Sequence, residues 1–158
     1  GGGSYGLMGA VADGCLGAGG EVTGVITEKL RTLELAHPEL TSLEIVPTMH
    51  ERKARMAELA DGFLALPGGI GTLEELFEAL TWSQLEIHQK PCAVLNEQGF
   101  YDDLLTFFGR MVDDRFLLPE HAELLLVGVS LDEVMEKILS FRPSTPENWV
   151  SRKVTGQG

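Results

Sequence analysis

Leu66-Pro67-Gly68-Gly69-Ile70-Gly71-Thr72-Leu73-Glu74-Glu75-Leu76 decides how this chain is read. Before it, Asp61-Gly62-Phe63-Leu64-Ala65-Leu66 is short, apolar and bounded by turn residues, as in a buried strand. After it, Leu73, Leu76, Phe77 and Leu80 fall on one helical stripe. Three glycines lie between. A strand that breaks into glycines and re-forms as a helix leaves backbone N–H groups facing a cleft. The helix dipole adds partial positive charge there, so a phosphate is the natural guest. Ordinary capping accounts for part of the pattern: Thr72 as N-cap and Glu75 at N3 make a capping box. It does not account for two adjacent carboxylates, Glu74 and Glu75, because a cap needs only one.

Working outward, strands and helices alternate. Ser4 is a candidate N-cap for a helix to about residue 18, and residues 21–26 and 43–46 read as strands. Residues 27–41 read as irregular. Thr48-Met49-His50-Glu51 is a second capping box, opening a helix to about residue 60. Past the glycine loop its helix runs to about Ile87, residues 91–95 form a buried strand, and Phe100 to Arg115 a helix with Phe107, Phe108 and Met111 as core. Residues 124–127 and 131–141 supply the last strand and helix. The polar remainder, 142–158, is a tail in which Trp149 suggests docking. This order predicts one α/β domain over 1–141, a parallel sheet with right-handed crossovers and ligands beyond the carboxyl ends of its strands. Gly1, Gly3 and Gly6 match G-x-G-x-x-G, a pattern with meaning only after a strand. A parallel sheet does not normally begin in a loop, so a preceding segment is expected.

Charge narrows the function. Twelve basic against 24 acidic residues give a formal net charge of −12, which disfavours a broad basic face for nucleic acid or an anionic membrane. A small anion then needs a local positive site. Arg52, Lys53 and Arg55 supply one in the first two turns of the 49–60 helix. An i,i+4 pair of Glu51 with Arg55 accounts for one of them. Cations there oppose the dipole, a local conflict that marks functional positions. Cys15 and Cys92 lack redox or metal spacing and read as reduced core thiols of a cytoplasmic protein. His37, His50, His88 and His121 lack zinc spacing, so neither metal nor cofactor is expected. No GK[ST] follows the glycines and no G-x-S-x-G surrounds Ser4. Carboxylates, arginine, lysine and backbone donors remain. That set suits cleavage of a glycosidic bond in a phosphorylated substrate.

Three stretches together, Gly1-Gly2-Gly3-Ser4-Tyr5-Gly6-Leu7-Met8-Gly9, Met49-His50-Glu51-Arg52-Lys53 and Pro67-Gly68-Gly69-Ile70-Gly71-Thr72-Leu73-Glu74-Glu75, carry a resemblance. The chain resembles the cytokinin riboside 5′-monophosphate phosphoribohydrolases of the "Lonely guy" type over about residues 1–141. The resemblance implies a Rossmann-like fold that opens with a strand–helix–strand segment this chain lacks. It implies hydrolysis of AMP or an N6-substituted AMP to the free base and ribose 5-phosphate. Arg52 and Glu75 would be the catalytic pair. Glu34, Lys53, Gly69, Ile70, Gly71, Thr72, Leu73, Glu74 and Thr81 would line the nucleotide site. Association into a homodimer or larger oligomer is implied too, through the helix carrying Phe77, Leu80, Trp82, Leu85 and Ile87. A nucleotide binder or carrier without turnover is the alternative. A dehydrogenase-type cofactor domain is disfavoured, since Glu74 stands where the third glycine belongs.

Overall fold

A computed structural model describes residues 1–34 and 36–143; the expected docking of Trp149 lies outside them. The chain forms two compact units, Gly1–Ala79 and the part from Leu80 onward. Both are α/β, with parallel strands flanked by helices.

In the first unit, helix α1 (Gly6–Gly17) precedes strand β1 (Thr23–Thr27), helix α2 (Glu28–Glu34), strand β2 (Ser42–Val46), helix α3 (Met49–Leu59), strand β3 (Phe63–Ala65) and the start of helix α4 (Ile70–Gln84). β1 and β2 pair in parallel, Thr23 opposite Ser42 through Thr27 opposite Val46. Val25 and Ile26 are fully buried, as expected of β-branched residues in a parallel strand covered on both faces. Helices α2 and α3 both pack against β1. The opening glycines run beside the same strand: Val25 N–H donates to the Gly1 carbonyl and His37 N–H to the Gly2 carbonyl, each at 2.9 Å. A Cβ on Gly24 would lie 2.9 Å from the Gly2 Cα, and Gly2 itself sits at φ +127°. Two glycines are what lets these backbones touch.

Several expectations are corrected here. Residues 28–34 are helical, not irregular. Thr27 Oγ1 accepts from Leu30 N–H at 3.2 Å, capping a turn that a Glu28–Arg31 ion pair at 2.6 Å supports. Ser4 is no cap, because α1 starts at Gly6 behind Tyr5 without a side-chain cap bond. Thr72 is no cap either, since α4 begins at Ile70. Its side chain folds back over Gly68, where a Cβ would lie 2.2 Å from Thr72 Oγ1. The cap at Thr48 does form, its side chain accepting from Glu51 N–H. Cys15 is only half-buried. His37 is buried: its Nε2 lies 3.0 Å from Asp13 Oδ1, and Nδ1 accepts from Glu39 N–H at 3.2 Å.

In the second unit, strands β4 (Cys92–Leu95) and β5 (Leu125–Gly128) pair in parallel, Cys92 opposite Leu125 through Leu95 opposite Gly128. Helices α5 (Asp102–Asp113), α6 (Pro119–Ala122) and α7 (Leu131–Ser140) accompany them. The short α6 and a 3-10 turn at Glu97–Gly99 were not foreseen. Helix α7 covers both strands through the fully buried Val134. Gly128 makes room for it, since a Cβ there would meet Val134 at 2.6 Å. Phe108 is buried, but Phe107 is 58% exposed and is not core. Burial pushes the Cys92 thiol up to about 12, which leaves it an inert hydrophobe. Among the described residues no helix is long and apolar enough to cross a membrane, and no cluster of three His, Cys, Asp or Glu could hold a metal.

Candidate active site

The first unit ends each of its first two parallel strands in a helix. β1 runs directly into α2, and β2 reaches α3 through Pro47 and Thr48. The Thr48 cap fixes where α3 starts, and so places Arg52 and Lys53 one turn in. Both are buried, at 6% and 8% exposure. A cation removed from water needs partners. The Arg52 Nε donates to the Val25 carbonyl of β1 at 2.8 Å, and Nη1 donates to Glu75 Oε1 at 3.1 Å. One guanidinium thereby ties α3 to β1 and to α4. Planar, forked donors suit arginine for this task.

Lys53 points to the same helix. Its ammonium donates to Glu74 Oε1 and, at 2.6 Å, to Glu78 Oε2. Its hydrogen bonds to Glu74 and then to Glu78 raise its pKa above the ordinary lysine value. Arg55 is the third cation, and it belongs elsewhere. It grips both oxygens of Glu44 on β2, at 2.6 and 2.9 Å, and reaches Glu58 at 3.1 Å. The Glu44 carboxyl is held below its usual range by that bond. The expected Glu51–Arg55 pair is thus replaced by a strand–helix clamp.

The glycine loop is open. Gly69 and Gly71 are exposed, a Cβ at either would meet nothing within 4 Å, and Ile70 is 87% exposed. Leu73 N–H donates to the Gly69 carbonyl at 3.2 Å, setting the first turn of α4. Leu73 and Thr72 are half-buried, while Glu75 is 42% exposed beside the buried guanidinium. Of the residues expected at the site, Arg52, Lys53, Glu74 and Glu75 come together directly. Gly69 to Thr72 form the adjoining helix start. Glu34 ends α2, and Thr81 lies further along α4 in the second unit. Glu78 was not foreseen as a partner. Its i,i+4 spacing from Glu74 was the available signal. The Val25 carbonyl left no signal, because any residue carries one.

The family model described as "Possible lysine decarboxylase" matches residues 8–138. A cytokinin riboside 5′-monophosphate phosphoribohydrolase of Rhodococcoides fascians is 45% identical over 141 residues, 89% of this chain and 71% of that protein. One from Arabidopsis thaliana is 44% identical over 143 residues, 90% of this chain and 63% of that protein. A probable one from Oryza sativa subsp. japonica is 43% identical over 143 residues, 90% and 68%. The chain belongs to this phosphoribohydrolase family. It spans about two thirds of the length of those members. A Schiff-base lysine has to reach its neutral form, whereas the Lys53 ammonium donates to two carboxylates, which raise its pKa.

Proposed function

We propose that this chain hydrolyses the N-glycosidic bond of AMP or an N6-substituted AMP, releasing the free base and ribose 5-phosphate. The supporting observation is the Arg52–Glu75 pair: a partly exposed carboxylate, held by a buried guanidinium, one turn inside a glycine-rich helix start. The backbone N–H groups of Gly69, Ile70, Gly71 and Thr72 and the Lys53 ammonium take the 5′-phosphate. Leu73, Glu74, Glu34 and Thr81 line the rest of the nucleotide site in this reading. Water attacks C1′, the C1′–N9 bond breaks, and the base leaves with a proton. Glu75 stabilises the oxocarbenium-like centre or accepts a proton from the attacking water. Arg52 keeps that carboxylate aimed. No metal or cofactor is assigned a step.

Incubation with AMP and with N6-isopentenyl-AMP, followed by chromatography, tests this. Free base from either is expected. Protection against thermal unfolding without base release would instead make the chain a nucleotide binder. A homodimer or larger oligomer belongs to the same proposal. Phe77, Leu85 and Ile87 on and after α4 are 37%, 53% and 63% exposed, whereas Leu80 is buried. A monomer mass in sedimentation at micromolar concentration would remove it.

A further inference from the structure

The two acids on Lys53 are not equivalent. Glu74 and Glu78 stand one turn apart on the same face of α4, and both accept from the ammonium of one lysine whose side chain is 8% exposed. The side chain of Glu74 is 52% exposed and that of Glu78 only 24%. Counting charges, Lys53 with its two carboxylates sums to 1 − 2 = −1, and adding Arg52 and Glu75 leaves the cluster at −1. A phosphate approaching this cluster meets net negative charge, so one carboxylate has to give way. Displacing the outer one costs less, because water takes over its solvation.

We propose that Glu78 is a positioning residue that anchors Lys53 from the buried side, while Glu74 occupies the outer side and is displaced by the nucleotide's phosphate. The ammonium therefore need not be ordered when substrate arrives. Of its three N–H donors, one stays on Glu78 while another passes from Glu74 to a phosphate oxygen. The inference rests on the proposed phosphate site but not on turnover.

The two acids then have opposite signatures. Glu78→Gln should raise KM for AMP about tenfold, the scale of one charge-assisted hydrogen bond, with kcat moving far less. Glu74→Gln should lower KM roughly fivefold, the effect of removing one unit-charge repulsion at about 4 Å in water. Calorimetry with ribose 5-phosphate should show the same opposition in Kd. Glu78→Asp keeps a carboxylate one methylene short and should fall between Glu78→Gln and the parent chain. It serves as the anchor test if Glu78→Gln does not fold. Equal losses from Glu74→Gln and Glu78→Gln would overturn the inference, leaving plain ion pairs, whether or not base is released. Failure of the parent chain to bind ribose 5-phosphate would overturn it as well. Opposite shifts in Kd without any base release would uphold it and sink the hydrolase reading.

Discussion

Helices α5 and α7 of the second unit pair charges within or next to themselves, whereas α3 and α4 carry buried or shared charges that reach other elements. In α7, Asp132 and Glu133 stand in the first turn, Lys137 in the last, and Ser130 caps the start. Lys137 pairs with Glu133 one turn back. Helix α5 repeats the scheme, with Asp102 and Asp103 first and Arg110 last. These charges complement the dipoles of their own helices, although α5 also ends on Asp113. Helix α3 has no basic residue in its last turn and buries two cations near its start; α4 has no acid in its first turn and carries three further along. Those charges bind across elements, α3 to α4 and to β1. Buried charge that reaches across elements is where the proposed site lies.

The largest effect should come from Glu75→Gln. A glutamine keeps shape and hydrogen bonding but loses the charge, so kcat should fall by at least the roughly 10²–10⁴-fold typical of general-base work. The melting temperature should fall only modestly, because the glutamine oxygen still accepts from the Arg52 guanidinium although it no longer balances that charge. A mild loss equal to that of Glu74→Gln would put Glu75 on the same footing as the charges of α7.

Next is Arg52→Ala, which acts on both activity and stability. It removes the donor to the Val25 carbonyl and leaves Glu75 unaimed. A buried acceptor left unsatisfied costs about 1–3 kcal/mol, and kcat should drop with it. Chemical denaturation reads the first effect and base release the second. An unchanged midpoint would mean that the Arg52 bonds are ornaments of a surface helix.

The fold was legible because strand and helix periods alternate with glycine and proline punctuation, and the Thr48 box placed α3 to within a residue. Arg52 and Lys53 stood out because cations near a helix start oppose its dipole, and Glu74 with Glu75 because a cap needs only one carboxylate. What could not be read were partners far along the chain. Glu44 takes Arg55 because β2 lies beside α3, which the nearer Glu51 obscures. Helix α2 was hidden by the nearby Pro38, where a turn follows, and the early start of α4 by glycines at Gly69 and Gly71. Propensity places those glycines outside a helix, yet at the first turn their cost is small.

Lys53→Ala comes third and should raise KM for AMP. Burial changes what else it does: Glu74 and Glu78 would face each other without their cation, so stability should fall too. The pH dependence has a definite sign. Lys53 has a folded pKa above its ordinary 10.5, so its stabilisation is complete below that value and is lost as pH rises through the raised one. Alkaline unfolding of Lys53→Met should therefore show a weaker loss in that window than the parent chain. Equal slopes would show that the ammonium has the same affinity for its proton in both states.

The smallest effect belongs to the second unit. Arg110 pairs with Asp114 at i,i+4, with exposures of 70% and 39%. Both charges face water, so the gain is set by screened Coulomb attraction minus the entropy of holding a long side chain still. Arg110→Gln keeps the helix propensity nearly unchanged and should cost about 0.2–0.5 kcal/mol. Half-molar salt should erase most of that difference, because the Debye length then falls to about the length of the pair. The same salt should leave the cost of Arg52→Ala largely in place, since a buried donor to a backbone carbonyl is little screened. KM should not respond to Arg110→Gln at any salt concentration. Salt thus separates charge that serves its own helix from charge withdrawn from water. If both variants lose their cost equally in salt, burial is not what sets α3 apart from α5.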